Sequence, residues 1–178
     1  MLTEKDIPNF TKFGNYEIDV PLGFLLDAIE KYKKDYQLDT SPDFQRAHVW
    51  NEQKQIKYVE FLLRGGLSSR VLYFNCPNWM GVKRVVGPMV LVDGKQRLEA
   101  LTKFLTNNLM LFGKYKLEDI DRSVFRISKT MKIHINNLET RKDVLQWYID
   151  INDGGVAHTT EEILKVKELL DKESMNHG

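Results

Sequence analysis

The run Val90-Leu91-Val92-Asp93-Gly94-Lys95-Gln96-Arg97-Leu98 constrains the local fold more than any other segment of the chain. Apolar, β-prone residues meet a single acidic-glycine step, and Leu98, Leu101, Phe104 and Leu105 then recur at helical spacing. The pattern predicts a strand over Met89 to Val92 that turns at Asp93-Gly94 directly into a helix. Glycine permits the sharp turn and lets another molecule approach the main chain closely. The first N–H groups of such a helix are unpaired and carry the positive end of its dipole, which makes the junction a ready anion site. Lys95, Gln96 and Arg97 crowd further donors into that turn. Cations there are misplaced by about 0.3–1 kcal/mol each, and an external anion relieves the conflict. Asp93 could hold Mg2+ through one carboxylate, with substrate phosphates completing the shell. On these residues alone a plainer reading stays open, in which Asp93 caps the helix and Arg97 pairs with a surface carboxylate.

Around this junction the chain reads as one domain of α/β or α+β type. Tyr16 to Val20 reads as a short strand or an extended approach, and Leu22, Leu25, Ile29, Tyr32 and Tyr36 form the stripe of an amphipathic helix whose first turn suits Pro21. Asn51 is a good N-cap for a helix through Ile56, Val59, Leu62 and Leu63 that Gly65 and Gly66 stop. Arg70 to Asn75 reads as a strand, and Leu109 to Phe112 and Phe125 to Ile135 as further strands, the last with alternation over Met131 to Ile135. Thr140 opens a helix ending near Ile151, Asn152-Asp153-Gly154-Gly155 reads as a tight turn, and Thr159 with Glu162 forms a capping box for a last helix. The expectation is a single domain over 1–178, with 1–15 and 172–178 loosely ordered.

Composition narrows the function classes. The 178 residues carry 26 Lys+Arg against 25 Asp+Glu, a net charge of +1, which argues against a protein that wraps a phosphate backbone. Arg122, Arg126, Lys129, Lys132, His134 and the Lys83-Arg84 pair would support weak DNA binding at best. The longest apolar runs are a few residues and the N-terminus lacks an apolar signal core, so a cytoplasmic protein with no membrane partner is expected. Cys76 stands alone, which excludes an internal disulfide or a multi-cysteine zinc site. His48, His134, His158 and His177 form no close ligand motif, so a built-in HNH nuclease is not expected, and a P-loop is excluded because there is no Walker A run. Among the tryptophans, Trp79 in a loop is the one expected to have a surface role.

Asp93-Gly94-Lys95-Gln96-Arg97 resembles the DGQQR motif of the N-terminal domain of GmrSD-type restriction systems, a branch of the ParB/sulfiredoxin-like superfamily. Phe44-Gln45-Arg46 with Val49-Trp50 resembles the family's upstream FQR-x-x-VW segment, and Ile151-Asn152-Asp153-Gly154-Gly155 with Thr159 and Glu162 its downstream segment. Three ordered motifs over residues 44 to 163 are far more specific than one. The resemblance implies an α+β fold, a small mixed sheet packed with several helices, and a pocket for an NTP with Mg2+. Asp93, Gln96 and Arg97 would act on the phosphates, with Arg97 stabilising charge on phosphoryl oxygens and Gln96 or Asp93 orienting water or metal. Gln45, Arg46, Gly94, Lys95, Asn152 and Thr159 would line or close the pocket. Lys95 replaces the more usual first glutamine, which puts catalytic efficiency in doubt.

The resulting expectation is nucleotide binding with slow hydrolysis in a restriction, antiphage or counter-defence setting, beside a nuclease or other defence-system partner. Two alternatives stay open: a non-enzymatic adaptor or decoy that keeps the fold, and a ParB-like DNA-binding or nicking protein.

Overall fold

The alternation of Met131, Ile133 and Ile135 with Lys132, His134 and Asn136 builds the central strand of the molecule. A computed structural model of the chain describes residues 16–45, 50–79, 87–121, 123, 125, 128–153 and 160–175. It contains strands β1 (Tyr16–Pro21), β2 (Val71–Asn75), β3 (Val90–Asp93) and β4 (Thr130–Asn136) in one sheet of order β1-β4-β2-β3. β4 pairs antiparallel with β1 and parallel with β2, and β2 pairs antiparallel with β3. The helices are α1 (Leu22–Tyr36), α2 (Glu52–Leu63), α3 (Lys95–Leu105), α4 (Arg141–Asp153) and α5 (Thr160–Met175). The chain is thus α+β with a mixed four-stranded sheet, the class that the resemblance of its motifs implies. No described helix is long and apolar enough to cross a membrane.

Each face of the sheet buries a different helical layer. Leu72, Phe74, Leu91, Met131, Ile133 and Ile135 pack on one side against Leu25 and Ile29 of α1, Val59 and Leu62 of α2, and Leu101 and Phe104 of α3. On the other side Tyr73, Val90 and Val92 meet Val144, Trp147 and Tyr148 of α4 and, beyond them, Val166 of α5. Asn51 caps α2 as its sequence suggests, its side chain accepting from Lys54 N at 2.9 Å. The outer edge of β3 is not left open. Asp39 N donates to Met89 O and Leu91 N to Asp39 O, each at 2.9 Å, so the chain after α1 runs along that edge.

Three secondary-structure expectations fail, the first two for a tertiary reason. Leu109 to Phe112 is no strand: Leu111 makes a lone bridge to Tyr115 across a turn in which Phe112 is left-handed at φ 52°, its N–H held by Glu60 Oε1. The strand expected from Phe125 begins only at Thr130, and Ser123 and Phe125 are helical, with Phe125 buried against Phe104. Asn152 and Asp153 continue α4 instead of opening a turn. Trp79 also packs inward, edge-on to Tyr16, Tyr32 and Tyr36 at 5.6, 6.2 and 5.1 Å between ring centroids.

The end of β2 is tied to the segment after β4 by one side chain. Asn75 is buried, its Nδ2 donating to Leu138 O at 3.0 Å and its Oδ1 accepting from Leu138 N at 2.8 Å. Replacing it by alanine strands two main-chain groups, and Asn75→Ala is expected to lower stability by about 3 kcal/mol in urea denaturation.

Candidate functional site

Tyr73 is opposite Asp93 and Phe74 opposite Leu91, so Val92 is an extra residue in the β2–β3 ladder. Such a bulge re-aims the end of a strand. Gly94 follows at φ 108° as the N-cap of α3, and among the described residues no side-chain cap bond is made there. A Cβ at Gly94 would lie 2.7 Å from Leu72 Cδ2 and 3.3 Å from both Nε and Nη2 of Arg97. Glycine is therefore required twice over, by its left-handed backbone and by the close approach of Leu72 and Arg97. Leu98 N closes the first helical hydrogen bond onto Gly94 O at 2.8 Å.

Arg97 does not seek a remote surface carboxylate. Its Nη2 donates to Oδ2 of Asp93, one helical turn back, and the two side chains are 17% and 23% exposed. The misplaced cation in the first turn is thus balanced by the residue that ends the strand. Arg97 Nε is buried with no hydrogen-bond partner among the described residues, a donor of the kind that calls for an explanation in a folded protein.

Two glutamines join this junction to the upstream segment. Gln45 Nε2 donates to Leu91 O at 2.6 Å and Val92 O at 2.8 Å, and its Oε1 is buried without a partner among the described residues. Gln96 is buried on α3, and its Oε1 accepts from Trp50 N at 3.0 Å. The downstream segment approaches through aromatic packing, with Phe44 edge-on to Tyr148 at 5.4 Å. Asn152 is buried in the last turn of α4, where Nδ2 donates to Tyr148 O at 2.6 Å. Gln45, Asp93, Gly94, Gln96 and Arg97 are thus brought together and Lys95 is half-buried beside them, whereas the Asn152 side chain bonds the main chain of its own helix. Arg46, His48, Gly154, Gly155 and Thr159 lie outside the described residues.

Among the described residues no group of three or more His, Cys, Asp or Glu is arranged to hold a metal ion. Burial pushes the Cys76 thiol up to about 11, well away from reactive thiolate chemistry.

Sequence reading missed a polar row beside the junction. Glu17 of β1 is opposite His134 of β4, and His134 is opposite Tyr73 of β2. His134 Nδ1 and Lys132 Nζ each lie 3.1 Å from the Glu17 carboxylate. Their hydrogen bonds hold that carboxyl below the usual glutamate range. Burial raises the Tyr73 phenol above its ordinary value, the Asp93 carboxylate adding to the rise and Arg97 opposing it. The only local signal for this row was the polar half of the β4 alternation. Lys132 and His134, two of the cations considered for DNA, are therefore engaged with Glu17.

Gly94→Ala combines left-handed strain with overlap on Leu72. It is expected to destabilise the protein by about 2–4 kcal/mol in chemical denaturation.

A family model described as GmrSD restriction endonuclease, N-terminal domain, matches residues 25–167, a span that holds the junction and both of its neighbouring segments. No curated protein and no solved structure shows significant similarity to the chain. The match covers most of the sequence, and the chain belongs to the family of GmrSD restriction endonuclease N-terminal domains.

Proposed function

We propose that this chain binds a nucleoside triphosphate at the Asp93–Arg97 junction and hydrolyses it slowly, serving a nuclease or other defence-system partner. Membership of a restriction-endonuclease family sets the context. The observation that carries the reading is the arginine in the first turn of a helix whose N-cap glycine offers no side-chain cap, with Nε buried and unpartnered among the described residues. That donor set fits a phosphate group. Gly94 and the first turn of α3 would receive phosphate oxygens, and Arg97 would stabilise charge on them. Arg46, Lys95, Asn152 and Thr159 would line or close the same pocket. Asp93 offers Mg2+ a single carboxylate, as expected where phosphates supply the remaining ligands, and the metal would supply charge neutralisation. Gln96, tied to Trp50, would hold the pocket wall more than it would meet water.

Calorimetric titration with the four NTPs and Mg2+ tests the reading. Wild type binds one or more of them, and Arg97→Ala binds at least tenfold more weakly, since a charge-assisted hydrogen bond contributes about 1.5–3 kcal/mol. No binding to wild type, or equal binding to Arg97→Ala, refutes it. Without Mg2+, Asp93→Asn binds at least as tightly as wild type, because it releases Arg97 from its internal partner. With Mg2+, Asp93→Ala loses phosphate release.

The mutual pairing of Asp93 and Arg97 favours one other reading, a non-enzymatic adaptor or decoy that keeps the fold. Steady phosphate release that depends on Asp93 excludes it. A retained band in a gel shift at physiological salt would instead support the DNA-binding alternative.

A further inference from the structure

The four strands carry one continuous line of polar side chains. Glu17 is opposite His134, His134 opposite Tyr73, and Tyr73 opposite Asp93, so the row crosses the whole sheet and ends at the residue paired with Arg97. Neighbouring strands lie about 4.8 Å apart, so Tyr73 is the β2 residue nearest to Asp93. The ring of Tyr73 is held on two sides, tilted against His134 at 5.2 Å and edge-on to Trp147 of α4 at 6.0 Å. His134 itself packs on Trp147 at 5.8 Å. The phenol is only half-buried, lies within the fields of both Asp93 and Arg97, and makes no hydrogen bond with the described residues. A neutral hydroxyl so placed is a donor that water or a ligand must satisfy.

His134 is an expensive way to hold that ring. Its Nδ1 is satisfied by Glu17, but Nε2 is buried with no partner among the described residues, in a side chain only 8% exposed. Valine or isoleucine suits a covered strand position without leaving a polar atom unpaired. A carboxylate that fixes one ring nitrogen sets the orientation of an imidazole, and here the oriented imidazole lies against Tyr73.

We propose that Tyr73 is a further ligand-binding residue of the Asp93–Arg97 site, its hydroxyl donating to an oxygen of the bound phosphate group, with His134 and Glu17 as positioning residues for its ring. The proposal rests on the nucleotide-binding reading above. It adds a neutral donor from β2 to the cationic one from α3, so that phosphate is gripped from two elements.

The test is calorimetric titration of the full chain with the four NTPs and with inorganic triphosphate, alongside thermal melting. Tyr73→Phe keeps the ring and the Tm and weakens triphosphate binding about tenfold, the loss of roughly 1.4 kcal/mol. His134→Leu removes the unpaired nitrogen, so its Tm holds or rises while affinity falls. A purely structural histidine would move Tm and affinity in the same direction, which would overturn the positioning role. If wild type binds and Arg97→Ala does not, equal affinity of Tyr73→Phe and wild type overturns the role of Tyr73 alone. Absence of binding by wild type overturns both this proposal and the nucleotide reading.

Discussion

The register of β4 between β1 and β2 is the constraint on which the rest of the structure depends. Met131, Ile133 and Ile135 can reach the core under α1, α2 and α3 only if β4 pairs antiparallel with one neighbour and parallel with the other in the observed frame. A slip of one residue would send Lys132, His134 and Asn136 into that core and carry the three apolar residues to the opposite face. The same frame aligns Glu17, His134 and Tyr73 in one row, so fold and site share a single register. Asn75 secures it by holding Leu138 through both main-chain groups as the chain leaves β4.

The candidate site grows from an irregularity in that regular sheet. The extra residue Val92 displaces the end of β3, and Gly94 turns the chain into α3 at an angle that no Cβ would allow. A cation in the first turn of a helix opposes the dipole, and Arg97 answers this by turning back to Asp93. The pair is partly shielded from water, so its attraction is screened less than that of an ion pair on the open surface. An incoming anion would compete with Asp93 for Arg97, whereas an anion arriving with Mg2+ would let Asp93 exchange a guanidinium for a metal ion. In the proposed function the pair would thereby make nucleotide and metal interdependent.

The upstream and downstream segments reach this junction by different physics. Gln45 uses hydrogen bonds, covering the last carbonyls of β3 along an edge that Asp39 also protects. Phe44 uses packing, its ring lying against Tyr148 on α4, whose carbonyl receives the Asn152 side chain. Gln96 closes the arrangement from α3 by accepting from Trp50. Residues far apart in the chain thus converge because one sheet edge needs hydrogen-bond partners and one apolar face needs cover.

Much of the scaffold was legible in the sequence by itself because the signals are local. The stripe from Leu22 to Tyr36, the Asn51 cap and the turn from Val92 into Lys95 each depend on residues within a few positions of one another. The three motif segments likewise identified the family, and their order along the chain suggested one site. Leu109 to Phe112 misled because a short apolar run says that side chains are wanted inside, not which backbone delivers them, and here a tight turn does so. Asn152 was read as a turn residue from its glycine neighbours, yet α4 continues through it and its side chain bonds the Tyr148 carbonyl one turn back. Only the tertiary structure decided that Arg97 pairs with Asp93, that Gln45 and Gln96 clasp the same junction, and that Glu17 and His134, 117 residues apart, stand beside Tyr73. Strand order and register are set by which faces many distant residues must bury together, and no local pattern encodes that sum.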